Sequence, residues 1–266
     1  MELDISIAGR RGSLDDEAVA AWVVDMARMT DEYVGRFPVR TLRVDVELRP
    51  GDDVIFGQHF SGRRVRVLVG RDASEATLRE DHILLHELLH TAFPMLDERH
   101  QWMREGLSTY LEMVVRARGG RRTEQQVWRR WTRAMPVGLP EADDNGLDAS
   151  SSWARTYWGG ALFWFMVDLR LRKASRGRHS IRTLLQGVVA HGGVATSRWT
   201  MDELLSKAES ITSTEVLGDA YGRYALRSSP DDLERIFRYL GVYRIDDAVQ
   251  FSEDAPGVSL RRALLR

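Results

Sequence analysis

The sequence predicts an α+β fold: an N-terminal α/β lobe with a small mixed sheet, then a mainly helical C-terminal lobe. Strict alternation of apolar and polar residues is confined to the part before Gly70, where Leu42, Val44, Val46 and Leu48 interleave with Arg43, Asp45 and Glu47. Beyond Pro94 nearly every apolar stretch has the helical period instead. A chain of 266 residues with 43% hydrophobic side chains can bury a substantial core. These observations divide it into residues 1–95, an α/β lobe, and residues 96–266, a helical lobe, together forming one unit.

In order, Ser13-Leu14-Asp15-Asp16 has the composition of a helix start, and Val19, Trp22, Val23, Met26 and Met29 continue it at helical spacing towards Phe37-Pro38. The Leu42–Leu48 strand ends in the turn Pro50-Gly51-Asp52-Asp53. Val54-Ile55-Phe56 and the run Arg64 to Val69 read as further strands, the latter stopped by Gly70. A helix is expected from about Ala73-Ser74 to just before Pro94. Helices follow over Gln101–Arg118, closed by Gly119-Gly120, and over Thr123–Ala134. Pro136 to Ser152 is a loop, and Tyr157 to about Ala174 a strongly apolar helix. Ile181–Ala190, Met201–Ala208, Thr214–Arg227 and Pro230–Leu240 read as shorter helices.

The composition excludes several function classes. A net charge of −1 offers no field for nucleic acid or an anionic membrane. No apolar run is long enough to span a bilayer. No cysteine is present, so no disulfide or thiolate ligand is possible and any metal must be held by imidazole and carboxylate. The start Met1-Glu2-Leu3-Asp4-Ile5 has no signal-peptide pattern, which gives the expectation of a cytoplasmic protein, or an exported one if its signal has been removed.

Chemistry concentrates at Leu84-Leu85-His86-Glu87-Leu88-Leu89-His90. On a helix, His86 and His90 share one face a turn apart and can aim ring nitrogens at one point, a spacing suited to Zn²⁺. Glu87 then adjoins the first ligand, where its carboxylate can take a proton from an activated water. The plain alternative is a helix that merely buries Leu84, Leu88 and Leu89. Farther on, Glu105 stands early in the next helix, where a turn through Pro94 to His100 could bring its carboxylate back to the two histidines. Glu112, seven residues later on the same face, is placed to accept a hydrogen bond from a ligand imidazole. His100 is a competing third ligand, disfavoured by its place at the helix entrance.

His-Glu-Leu-Leu-His followed by Trp102-x-x-Glu105-Gly106-x-x-x-Tyr110-x-Glu112 resembles the gluzincin zinc metallopeptidases, the group holding thermolysin, the aminopeptidase N relatives and the glycyl aminopeptidase family. The pattern is most similar to the catalytic domain of the last. Tyr157-Trp158-Gly159-Gly160-Ala161-Leu162, Val167 to Arg172 with Ser180 to Leu185, and Asp219 to Tyr224 with Leu240-Gly241-Val242 extend the likeness over about residues 80 to 242. The resemblance implies a thermolysin-like catalytic domain, one Zn²⁺ per chain on His86, His90 and Glu105, Glu87 as general base, and Tyr157 donating to the oxyanion. Without it, Tyr157 would read as packing beside Trp153, Trp158 and Trp164. It implies a peptide or protein as substrate, with no nucleic-acid partner, and leaves the oligomeric state open.

The pattern departs at the edge strand. Aminopeptidases of this group carry a Gly-rich strand with a Glu for the substrate's amino group. Here Phe56-Gly57-Gln58-His59-Phe60-Ser61-Gly62 supplies Gly57, with Gln58 and His59 where that Glu would stand. These three are the expected substrate-binding residues, and a neutral amide or imidazole is a poor partner for an ammonium group. From the length of the sequence, the accessory domains of such relatives are not expected. The expectation is therefore a zinc peptidase without an evident amino-terminal anchor. A catalytically degenerate gluzincin that binds peptides or proteins is the alternative, and hydrolysis of another amide or ester would use the same residues.

Overall fold

The structure is a computed structural model that describes residues 2–60 and 62–266, so Ser61 of the edge-strand motif lies outside the described residues. It contains two compact units, one of residues up to Met95 with Val188–Trp199, the other of Leu96–Gly187 with Thr200–Arg266.

The first unit comprises β1 (Glu2–Gly9), α1 (Asp16–Val34), β2 (Thr41–Arg49), β3 (Val54–Phe60), β4 (Arg64–Gly70), α2 (Glu75–Glu80) and α3 (Ile83–Leu89). The sheet runs β1-β2-β4-β3, with β1, β2 and β4 parallel and β3 antiparallel at one edge. The alternation predicted for β2 decides its two faces. Leu42, Val44, Val46 and Leu48 are buried with Val65, Val67 and Val69 of β4. On the other face Asp45 accepts from Arg43 Nε at 2.8 Å and Arg64 Nε at 2.5 Å, and Glu47 pairs with Arg66. Partial burial pushes the Asp45 carboxyl up, but the two arginine hydrogen bonds outweigh it and hold the group below its ordinary value. One face is thus apolar and the other a ladder of charge. β1 was not among the expected strands, although Leu3, Ile5 and Ile7 alternate with Asp4 and Ser6.

Where one helix was expected from residue 73 to 94, there are two. Asp81 is extended, at φ −63° and ψ 146°, and its carboxylate accepts from the Ile83 and Leu84 N–H groups at 2.8 and 3.0 Å. A side chain that caps a new helix ends the old one. After Leu89 the chain tightens into a 3₁₀ turn over His90–Ala92. The motif helix therefore has only seven residues, too few to persist alone. Leu84, Leu85, Leu88 and Leu89 are all at most 2% exposed, and burying each stabilises the unit by about 2 kcal/mol. The segment 188–199 returns to hold the chain just beyond: Ala195 N–H donates to Thr91 O at 3.1 Å, and Met95 and Ser197 pair at 2.9 Å.

The second unit contains α4 (Gln101–Arg118), α5 (Glu124–Ala134), α6 (Gly160–Ala174), the part of α7 (Ile181–Ala190) up to Gly187, α8 (Met201–Thr212), α9 (Val216–Tyr224), α10 (Leu233–Tyr239), the hairpin β5 (Val242–Ile245) and β6 (Ala248–Phe251), and α11 (Val258–Leu264). The hairpin and α11 lie beyond the elements expected from the sequence. Buried Arg261 secures α11 by donating to Glu124 at 3.0 Å and to the Gly241 and Ser252 carbonyls. No described helix is long and apolar enough to cross a membrane.

The core of this unit is set by α4 against α6. Trp164 Nε1 donates to Met103 O at 2.8 Å, and Tyr110 OH donates to Asp168 Oδ2 at 2.9 Å. Between them the backbones touch: a Cβ on Gly106 would lie 2.2 Å from the Gly160 carbonyl carbon, and one on Gly160 only 2.3 Å from Trp102 O. No rotamer change relieves an overlap with backbone. Gly106→Ala is accordingly expected to destabilise the protein by about 2 kcal/mol or more, read as a fall of roughly 5 °C in melting temperature. An unchanged melting temperature would show that α4 can move off α6.

Candidate active site

In the first unit, α3 and the 3₁₀ turn that follows it present the two histidines of the motif. His86 and His90 lie four residues apart, with ring centroids 4.9 Å apart and planes at 87°. His90 is buried, at the junction of α3 and the 3₁₀ turn. The edge strand β3 runs across this helix. A Cβ on Gly57 would fall 2.5 Å from Ile83 Cγ2 and 2.8 Å from Glu87 Cγ, so only glycine lets the strand pass this close to the motif carboxylate. Two residues on, and on the same face by strand period, the His59 ring lies 5.9 Å from that of His90. Gln58 points to the opposite face; it is exposed and sits across from Arg66 on β4. The structure thus gathers Gly57 and His59 at the motif helix and leaves Gln58 away from it.

His86, His90 and Glu105 each offer one ligand atom, and these atoms all lie within 4.8 Å of one another, so that the group could hold a metal ion. Two imidazoles and a carboxylate, without thiolate, are a donor set that suits Zn²⁺.

In the second unit, the entry to α4 is fixed three residues before Glu105. Asp148, in a 3₁₀ turn over Leu147–Ala149, accepts from three side chains: His100 Nδ1 at 2.8 Å, Trp102 Nε1 at 2.8 Å and Tyr221 OH at 2.6 Å. Burial first, and then the Asp148 carboxylate, push the Tyr221 phenol well above its ordinary value, so that it remains a donor. Arg99 Nε donates to His100 Nε2 at 3.2 Å. Both ring nitrogens of this buried imidazole are therefore engaged by its neighbours, which makes His100 a structural residue and removes it as a competing ligand. Asp148 and its role were not legible in the sequence, where residues 136–152 read only as a polar loop. Tyr221 stood in a segment noted for its likeness to the glycyl aminopeptidase family, and this gave no hint of its partner.

Glu112 lies two turns beyond Glu105 and is 5% exposed. Arg116 Nη1 donates to its Oε2 at 3.3 Å, an ion pair within α4 that balances its buried charge. Tyr157 does not begin an α-helix as expected. It sits in a π-helical turn, Arg155–Gly159, that leads into α6, the kind of widened turn often found at functional sites. Arg155 secures this turn, donating to both oxygens of Asp144 at 2.7 and 3.1 Å and to Gly138 O at 2.5 Å. Tyr157 is half-buried, and its ring stacks on Trp153 with centroids 5.2 Å apart and planes at 25°. Because Gly106 meets Gly160, the helix carrying Glu105 is in backbone contact with the residue that follows the π turn of Tyr157.

No family model matches the sequence, and no curated protein does. Solved structures do match. An aminopeptidase N family protein from Idiomarina loihiensis aligns over 95% of this chain and 51% of its own, at 14% identity and a TM-score of 0.69. The M1 zinc metallopeptidase of Deinococcus radiodurans aligns over 85% of this chain and 48% of its own, at 18% identity and a TM-score of 0.56. Yeast LTA4 hydrolase, solved in complex with bestatin, aligns over 81% and 37%, at 11% identity and a TM-score of 0.53. The chain thus spans about half the length of the first two of these structures. At such identities the likeness is one of fold: this chain has the fold shared by the M1 zinc metallopeptidases.

Proposed function

We propose that the chain is a zinc-dependent peptidase in which Glu87 is the general base. The observation that carries this reading is the convergence of His86, His90 and Glu105, with Glu87 on the same short helix under the edge strand β3. The fold shared with M1 zinc metallopeptidases supports it independently. Zinc held by His86, His90 and Glu105 supplies the Lewis acidity that makes water nucleophilic near neutral pH.

The protein's own residues do the rest. The Glu87 carboxylate takes a proton from the attacking water and delivers it to the leaving amine. Tyr157 OH donates a hydrogen bond where negative charge develops on the carbonyl oxygen. Glu112, buried in α4, accepts from a ligand imidazole and fixes its tautomer. The outer edge of β3 offers its backbone groups to an extended peptide, which adds as a further strand. Gly57 keeps that strand close to Glu87, and His59 faces the bound segment from the same side. A degenerate peptide-binding module gains no support, since donors and base are all present.

The substrate's amino terminus is a separate matter. β3 carries no carboxylate from Val54 to Phe60, so it has no anionic partner for an ammonium group. Cleavage does not depend on a free amino terminus in this reading.

Three outcomes follow. Metal analysis of the purified protein is expected to give about one zinc per chain, and His86→Ala or Glu105→Ala to lose it. Retention of full zinc by both variants would remove these residues from the ligand set. Glu87→Gln is expected to keep the metal while kcat falls by about 10²- to 10⁴-fold; hydrolysis at the parental rate would refute the base assignment. In a peptide library with free and acetylated amino termini, both forms are expected to be cut at similar kcat/KM, within about threefold. A strong preference for free termini would place an amine anchor elsewhere in the chain.

A further inference from the structure

We infer that residues 194–197 close one end of the groove between β3 and α3, so that a bound peptide extends no more than about three residues past its scissile bond in that direction. This rests on the peptidase reading above, which places the bond beside Glu87. As it crosses α3, β3 advances in the helix's own direction. Val54 at the start of β3 and Ile83 at the start of α3 line one pocket, Gly57 passes Glu87, and the His59 ring faces that of His90. A peptide added along β3 therefore also follows α3 from one end to the other.

Both elements end against the same segment. β3 stops at Phe60, and in the turn that follows a Cβ on Gly62 would fall 2.6 Å from Thr196 Cγ2 and 2.9 Å from the Ala195 carbonyl carbon. Just past the motif, Thr91 O accepts from the Ala195 N–H at 3.1 Å. One short piece of chain thus touches the turn after the strand and the turn after the helix, and bars the space between them. Its shape is fixed by its own hydrogen bonds. Ser197 N–H and Ser197 Oγ both donate to Val194 O at 2.8 Å, and Ser197 Oγ accepts from the Val194 N–H at 3.1 Å. Met95 N–H donates to Ser197 O at 2.9 Å, and Met95 O accepts from the Trp199 N–H at 3.0 Å. Ala195 is buried, whereas Thr196, beside Gly62, is exposed.

The two ends of the groove differ. From Gly57, beside Glu87, to Phe60 the strand takes three steps of about 3.3 Å, roughly the length of three extended residues. In the other direction Val54 and Ile83 lead into a pocket of about 600 Å³ lined also by Asp52, Asp53, Glu80 and Asp81. Packing limits substrate length on one side, and this pocket leaves room on the other. Such a limit needs no charge, so it holds for blocked and free peptide ends alike.

A ladder of peptide lengths tests this. The best-cut peptide of the library is trimmed to about two residues on each side of its bond, and alanines are then added singly to one end or the other. Cleavage of the original bond is followed by mass spectrometry, with acetylated and free amino termini, alongside zinc content and melting temperature. On one side, kcat/KM is expected to fall about tenfold or more once a fourth or fifth residue is present, in both forms; on the other it varies less than about threefold. Thr196→Trp is expected to bring the fall forward by about one residue, and Thr196→Gly to shrink it by about threefold. A fall on neither side, or on both, would overturn the inference, as would a limit seen only with free termini, the mark of charge and not of packing. An identical limit in the parent and both variants would remove residues 194–197 as its cause. These outcomes leave the peptidase reading standing, whereas a zinc-loaded parent that cuts no peptide overturns that reading and this inference together.

Discussion

The close approach of α4 to α6 is the constraint on which the second unit depends. At Gly106 and Gly160 the two helices meet backbone to backbone, closer than any side chain permits. This fixes the element carrying Glu105 against the element that follows Tyr157. Hydrogen bonds on either side, from Trp164 to Met103 and from Tyr110 to Asp168, set the rotation of α4 about its axis. Asp168 also accepts from Arg172 Nε and the Ile181 N–H, each at 3.0 Å, so one buried carboxylate joins α4, α6 and the start of α7. Glycine contact supplies the distance, and the buried polar network supplies the register.

The first unit reaches a similar result by different means. There a strand crosses a helix, and Gly57 is the point where the strand comes closest. The sheet places β3 at the edge with an antiparallel partner on one side only, while its bulge near Val54 and Phe56 bends the strand at its start. Strand periodicity then sorts its side chains, with Gly57 and His59 towards α3 and Gln58 away. In both units a glycine stands beside or against a carboxylate of the candidate site, Gly106 next to Glu105 and Gly57 against Glu87.

Much of this was legible in the sequence. The α+β class followed from where alternation gives way to helical period, and the spacing of His86, Glu87 and His90 stated its own chemistry. Glu105 could be proposed because the next helix starts within reach. What escaped had no local signature. Asp81 both ends α2 and caps α3, an arrangement indistinguishable in sequence from one polar residue in a longer helix. Asp148 takes three donors that are 46, 48 and 73 residues distant, and no pattern in residues 136–152 announces them. The π turn at Tyr157 inserts a register change into an otherwise regular apolar helix. The return of residues 188–199 to the first unit rests on backbone pairing with Thr91 and Met95 and on Arg36 Nη2 donating to Val189 O at 3.3 Å, contacts with no local pattern in the sequence.

The brevity of α3 bears on how a metal would be acquired. A helix of two turns, capped by one aspartate and folded by four buried leucines, has no stability separable from that of its surroundings. The His86 and His90 donors are therefore aligned only while the leucines beneath them are packed. Local opening of this segment would dissolve two of the three donors at once, well before the remainder of the chain unfolds. Retention of the metal is in this sense a property of apolar packing, and the rate of its escape would report the opening frequency of a small hydrophobic layer and not the strength of any single coordinate bond.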